Sequence, residues 1–446
     1  MQTNDTVQIG TKVRDYLKPY LRLLIPKSGE KHQARQFLEL SRGLLQSRKA
    51  ILSQAARKVL RRRGKKKGRY LYRGRMDNWI KRMSKLLGKL DWEKLMRCHW
   101  KRLRERQKSW HMIVHDGSDL AKPWARKMEG LSKVRDGSSG EITRGYSFHG
   151  SVGIGKELWD IHPIDIRMVD PTGKNFTCEA DVMREQIREM VSYGIGTEQL
   201  HVFDRGYDDR KEFAFLDEQG LDWLIRMRKN RKVIYRNERG HTIKLVAESM
   251  LEESRENKDG VKYAYHPIWI SVDVDGEGRK VKSYLKRYTL IAIAHPKHRN
   301  PMMLMTNVPV ESLKGAVEMY LNYLDRWKVE DYYRFFKQTL DVETMRLMEF
   351  RKLSSFLRLL MLLSDFTLRE YHKSQDPHGS GLWELLKSNY IPTEETLIMS
   401  PYVVTQAVSE LLQEEHLYGF SGHSGSSPPI EQYSLFQSAQ FLDTFS

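Results

Sequence analysis

The chain has 446 residues, with 76 Lys and Arg against 57 Asp and Glu, a formal net charge of +19. At roughly 100–200 residues per domain this length accommodates two to four domains, and 40% hydrophobic with 30% charged residues excludes wholesale disorder. Two cysteines, Cys98 and Cys178, exclude a disulfide framework; no signal-type apolar core opens the chain and the best apolar run, 356–363, is short and broken by Arg358, so a cytoplasmic protein with no membrane partner is expected.

Residues 1–110 hold 32 Lys and Arg against 8 Asp and Glu, a local net of +24, while the other 336 residues carry −5. Val13, Leu17, Tyr20, Leu21 and Leu24 recur at helical spacing, as do Phe37, Leu40, Leu44 and Leu45. Pro19 kinks or starts the first of these helices, and Ser47 or Ser53 is placed to cap a short one reaching Leu60. The charge peaks at Arg61, Arg62, Arg63, Lys65, Lys66 and Lys67, close to Tyr70, Tyr72 and Trp79. A solvated loop or a patch for an anionic membrane surface has the same composition, but +24 over 110 residues favours a footprint on the phosphates of double-stranded DNA. Short basic helices permit a helix-turn-helix-like reader; none is singled out as the recognition helix. Residues 79–106 continue as helix.

From residue 110 the pattern changes. Residues 111–115 read as a strand ending at Asp116, and 146–152 and 158–169 as two more. A helix over 179–193 carries Val182, Ile187, Met190 and Val191 on one stripe. A strand over 200–203 ends at Asp204; a helix over 210–219 and a strand over 223–226 follow. Three strands, helix, strand, helix, strand is the order of a ribonuclease-H-like α/β layer fold. Residues 231–310 read as strands and turns, a β-rich insertion, and 311–340 and much of 341–417 as helix. The Gly/Ser/Pro-rich end predicts a flexible tail.

Strand ends of α/β folds converge at one sheet edge, so Asp116 and Asp204 can meet in space. Asp also favours turns after strands for local reasons. Tyr323, Arg326, Glu330 and Lys337 fall within a wedge of about 60° on one continuous helix, which equally describes a solvated salt-bridge face.

The pattern Tyr323-x2-Arg326-x3-Glu330-x6-Lys337 resembles the signature helix of bacterial insertion-sequence transposases with an Asp-Asp-Glu triad. Asp116, in Ile113-Val114-His115-Asp116-Gly117-Ser118-Asp119, resembles the first acid of that family, and Asp204, followed by Arg205, the second. Glu330 resembles the third, and the family also carries a β insertion between the second and third acids. The resemblance covers roughly residues 110–340. Gly117-Ser118 stands where the family often has a Thr pair, Asp119 competes for the first-acid role, and residues 301–310 contain no aromatic of the kind that holds a flipped base in some relatives.

The resemblance implies a DNA transposase in which Asp116, Asp204 and Glu330 are catalytic and hold two Mg²⁺ ions, with Mn²⁺ able to substitute. Hard cations call for such carboxylate oxygens. Tyr323, Arg326 and Lys337 are expected to grip phosphates, and the cations of residues 61–67 to bind the element ends. The expected organisation is a basic helical DNA-binding region over 1–105, a ribonuclease-H-like core over 106–230 and 311–345, the insertion over 231–310, a helical region over 346–418 for homodimerisation, and the tail over 419–446. A nucleoid-associated bacterial protein is implied. A metal-dependent structure-specific nuclease and a non-catalytic transposase-derived DNA binder are the alternatives. Scattered His111, His115, His149, His162 and His201 read as structural or solvent-facing.

Overall fold

The computed structural model describes residues 9–25, 32–60, 68–135, 140–173, 176, 178–275, 281–375 and 400–418. The basic run 61–67 and the tail from 419 lie outside the described residues.

Among the described residues five helices come first: α1 (Ile9–Leu23), α2 (His32–Ser47), α3 (Leu52–Val59), α4 (Gly68–Lys89) and α5 (Trp92–Arg104). The α/β core follows as β1 (Met112–Ala121), β2 (Ser132–Arg135), β3 (Ile142–Ile154), β4 (Ile161–Met168), α6 (Glu179–Ser192), β5 (Leu200–Phe203), α7 (Arg210–Glu218) and β6 (Trp223–Arg226). Next come β7 (Lys232–Tyr235), β8 (Glu238–Thr242), α8 (Ile243–Glu253), β9 (Asn257–Lys258), β10 (Val261–Asp275), β11 (Val281–Ala294) and β12 (Met302–Thr306). The chain returns to helix as α9 (Leu313–Asp325), α10 (Lys328–Thr339), α11 (Phe350–Gln375) and α12 (Pro401–Tyr418).

β3 pairs antiparallel with both β1 and β4, while β1, β5 and β6 run parallel. This β4-β3-β1-β5-β6 order, with α6 and α7 in the connections to the parallel strands, is the expected ribonuclease-H-like arrangement. The sheet does not stop at β6: β12 pairs antiparallel with it, and β11, β10, β7 and β8 follow outward. Every residue of β4 is buried, which requires its polar side chains to be paired. Arg167 donates to Asp165 at 2.8 Å and to Glu189 at 2.7 Å. Helices α5, α6, α10 and α11 pack against this strand.

The terminal helices share one core. Tyr16 donates to Asp365 at 2.8 Å, Gln46 donates to the Leu412 carbonyl at 2.6 Å, and Ser409 donates to the Gln46 carbonyl at 2.9 Å. Burial pushes the Asp365 carboxyl up, but Arg106, His99, Arg369 and the Tyr16 hydroxyl outweigh it and hold it down at about 2. No described helix is long and apolar enough to cross a membrane.

Several expected boundaries shift. Asp116 lies inside β1, because the polar stretch after it pairs with β3 from Asp116↔Gly150 to Ala121↔Gly145. The helical run 79–106 is broken at Leu90 and restarts where Asp91 accepts from the Lys94 amide at 3.1 Å. Neither Ser47 nor Ser53 caps α3; Ile51 stands at that position without a side-chain bond. The stretch read as strands and turns also contains α8, capped by Thr242, whose Ile243, Val246, Ala247, Met250 and Leu251 are buried.

Candidate active site

The parallel pairing of β1 with β5 ends at His115↔Phe203, so Asp116 and Asp204 follow a matched pair of residues on adjacent strands. The Asp116 carboxylate accepts from the Gly117 amide at 2.9 Å and from Arg326 Nη1 at 2.7 Å. Arg326 Nη2 donates to Glu330 at 2.9 Å. One guanidinium therefore joins the strand acid to the helix acid. Asp204 accepts from the Gly206 amide at 2.6 Å, which caps the 3₁₀ turn that follows it.

Burial pushes the Asp116 carboxyl up to about 7; Arg326 and the Gly117 amide oppose that, while Asp204 and Glu330 reinforce it. The same charges reach Tyr207, whose hydroxyl is raised by burial first and then by Asp116 and Asp204. These effects put the three acids in one electrostatic neighbourhood.

The helix expected to carry Tyr323, Arg326, Glu330 and Lys337 is two helices. Arg326 and Trp327 keep helical dihedrals, but the amides of Arg326, Trp327, Val329 and Glu330 bond three residues back. This tightening replaces the continuous wedge. Tyr323 is buried, with the Arg326 guanidinium 5.8 Å from its ring centroid. Lys337 lies two turns beyond Glu330, in the last turn of α10, and approaches Glu343 at 3.8 Å.

Other residues enter that spacing alone did not indicate. Tyr333, one turn past Glu330, donates to the Asp116 carbonyl at 2.8 Å. Gly150 opposite Asp116 makes room for it: a Cβ there would lie 2.4 Å from the Tyr333 hydroxyl. His149 and Tyr207 bond at 3.0 Å. Of the five histidines read as structural or solvent-facing, two meet in the core. His115 and His201 stack with centroids 5.0 Å apart and bond at 2.9 Å. His201 Nε2 donates to the Gly196 carbonyl at 2.8 Å, so its Nδ1 accepts from His115, and His115 Nδ1 in turn accepts from Ser151 at 2.8 Å.

The carboxylates of Asp116, Asp204 and Glu330 are hard oxygen donors, and the burial that disfavours charge on Asp116 makes added positive charge favourable there; this donor set fits Mg²⁺ or Mn²⁺. Among the described residues, the group of three possible ligand atoms within 4.8 Å of one another is a different one, Asp160, His162 and His372. There Arg106 donates to His162 Nδ1 at 2.8 Å, which leaves the proton on Nε2 to donate to Asp160 at 2.7 Å. Both ring nitrogens of His162 are thus occupied by internal hydrogen bonds.

Residues 173–365 match the sequence family described as transposase DDE domain. The match includes Asp204, Tyr323, Arg326, Glu330 and Lys337 and begins after Asp116. No curated protein matches the chain. The likeness to a transposase DDE domain is thus carried by residues 173–365.

Proposed function

We propose that the protein is a DNA transposase that binds the ends of an insertion sequence, cuts phosphodiester bonds there and joins the freed 3′-hydroxyls to target DNA. The observation that supports it best is the buried Arg326 shared by Asp116 and Glu330, beside Asp204 and inside a transposase-type segment. Asp116, Asp204 and Glu330 would hold Mg²⁺ or Mn²⁺. Such ions, when bound, supply Lewis acidity that activates the attacking oxygen near neutral pH and offsets charge on the attacking and leaving oxygens.

The chain's own residues do the positioning. Tyr333 and the Gly117 amide fix the backbone and one carboxylate oxygen of Asp116. Arg326, backed by Tyr323, sets Glu330 relative to Asp116, and would turn one nitrogen to a phosphate oxygen only when a metal takes over an acid. Lys337 adds positive charge further along α10. Water attacks first, breaking the bond from phosphorus to the 3′ oxygen; the resulting 3′-hydroxyl then attacks target phosphorus and displaces a target 3′ oxygen. The cations of residues 61–67 would hold the ends, and two copies of the chain would bring two ends together.

Asp204→Asn and Glu330→Gln should each lower Mg²⁺-dependent strand cleavage at least about a hundredfold while leaving DNA binding intact. Wild-type rates in both variants would remove these acids from the site. Joined products separate a transposase from a hydrolytic nuclease.

A further inference from the structure

We infer that a basic cavity beside Asp204 holds a DNA phosphate outside the carboxylate cluster, an assignment that rests on the transposase reading for its ligand. The cavity encloses about 260 Å³, and its lining includes Arg205, Arg226, Lys229 and Arg299, together with Met227 and Met303. Both methionines are buried.

Topology brings these residues together. Arg205 follows Asp204 at the end of β5. Arg226 ends β6, the parallel neighbour of β5. Arg299 lies in the connection from β11 to β12, and β12 pairs with β6 through Leu304↔Arg226. The Met227 amide donates to the Met303 carbonyl at 2.9 Å, tying the two segments at the cavity floor. Since β1, β5 and β6 run in one direction, their parallel pairings end along one line, at His115, Phe203 and Ile225. Just past that line come Asp116, then Asp204, then the cations.

Charge identifies the occupant. Among the described residues no carboxylate lines the cavity, and none of its four Arg and Lys side chains is in an ion pair. Nearby arginines are treated differently: Arg231 is held by Asp208 at 2.6 Å and Arg210 by Asp273 at 3.0 Å. Arg228 donates to the Gly206 carbonyl at 3.0 Å, fixing the loop that carries Arg205. Four like charges around one cavity repel one another and do nothing for the fold. Guanidinium forks match phosphate oxygens, and the polyanion that must lie against Asp204 for cleavage is DNA. A strand leaving the carboxylates along this line places a phosphodiester in the cavity.

The test is anisotropy of a labelled DNA duplex with the full chain, over about 50–200 mM salt. The triple variant Arg226→Gln, Lys229→Gln, Arg299→Gln should bind at least about tenfold more weakly at the higher salt, and flatten the log K against log salt slope by about 2–3. Its Tm should equal or exceed wild type. Arg226→Lys with Arg299→Lys keeps the charges and should keep the slope, which separates lost charge from misfolding. Unchanged affinity and slope in the triple variant overturn the assignment, as does a wild-type chain that binds no DNA. A wild type that binds DNA through these cations yet never cleaves it would sink the transposase reading and leave the cavity assignment standing.

Discussion

Arg326 donates to Asp116 at 2.7 Å across 210 positions of sequence, and its second nitrogen reaches Glu330, four residues on, at 2.9 Å. The side chain is only 10% exposed, so both bonds act in a partly dehydrated setting where a planar fork is worth more than a point charge. Through it the end of β1's parallel pairing and the first turn of α10 are mutually located.

Arg326→Lys retains charge but cannot make both bonds, and cleavage should fall about 10–100-fold. Arg326→Ala leaves two half-buried carboxylates without their shared partner and should cost about 1–3 kcal/mol in addition. Urea denaturation at pH 7 and single-turnover cleavage of a DNA substrate read the two effects. Wild-type cleavage by Arg326→Ala would detach this residue from the chemistry.

Asp116→Asn should be inactive yet more heat-stable above neutral pH. Burial first, then Asp204 and Glu330, lift the folded carboxyl to about 7 against an ordinary value near 3.8, despite Arg326 and the Gly117 amide. A raised carboxyl means the fold takes up a proton between those two pH values that the unfolded chain releases. Stability linked to Asp116 is therefore lowest above pH 7 and recovers as pH falls towards 4. With a chelator present at pH 8, the neutral Asn should raise Tm by about 1–3 °C, and the gap should close towards pH 4. Calorimetry across this range decides it; a lower Tm for the variant at pH 8 contradicts the electrostatic account.

Gly150→Ala should disturb the site without touching a carboxylate. Its Cβ would lie 2.4 Å from the Tyr333 hydroxyl and 3.2 Å from two ring atoms, in the strand directly opposite Asp116. The expected cost is about 1–3 kcal/mol with a loss of cleavage. Tyr333→Phe removes the closest atom, so the double variant should be less destabilised than the sum of the singles. A strictly additive double variant would show that the two residues do not collide.

Local pattern made parts of this arrangement readable. Leu200–Phe203 is a short apolar run and forms a fully buried parallel strand, so Asp204 falls at its end as expected. Gly117, Ser118 and Asp119 lie beyond the expected strand end, yet they stay extended because β3 supplies partners through Ser147–His149, a tertiary effect. Spacing puts Arg326 beside Glu330, but nothing local announces Asp116 as its other partner. The His115–His201 pair joins strands 86 positions apart. The cavity cations come from three separated segments within a stretch whose net charge is negative, so composition concealed them. Helix α8 did leave a signal, its i, i+3, i+4 apolar spacing after Thr242, masked by β-rich neighbours.

The His115–His201 pair should make the fold acid-sensitive. Both rings are buried and hydrogen-bonded as neutral tautomers between Ser151 and the Gly196 carbonyl. Burial lowers His201 to about 4, with the bond to Gly196 opposing, and holds His115 well below its usual range. An unfolded histidine takes up a proton near pH 6.5 while the folded one resists, so stability present above pH 6.5 is lost as pH falls towards 4. His201 alone is worth up to ~3 kcal/mol over that window. His201→Leu deprives His115 of its acceptor and should destabilise the protein by about 1–3 kcal/mol at pH 7.5. Because the variant lacks one resisting ring, the wild-type advantage should shrink between pH 6.5 and pH 4 in urea titrations. An advantage that stays constant across that range would place the acid sensitivity in the other buried rings whose proton affinity burial lowers, with His99, His149 and His372 the next groups to substitute.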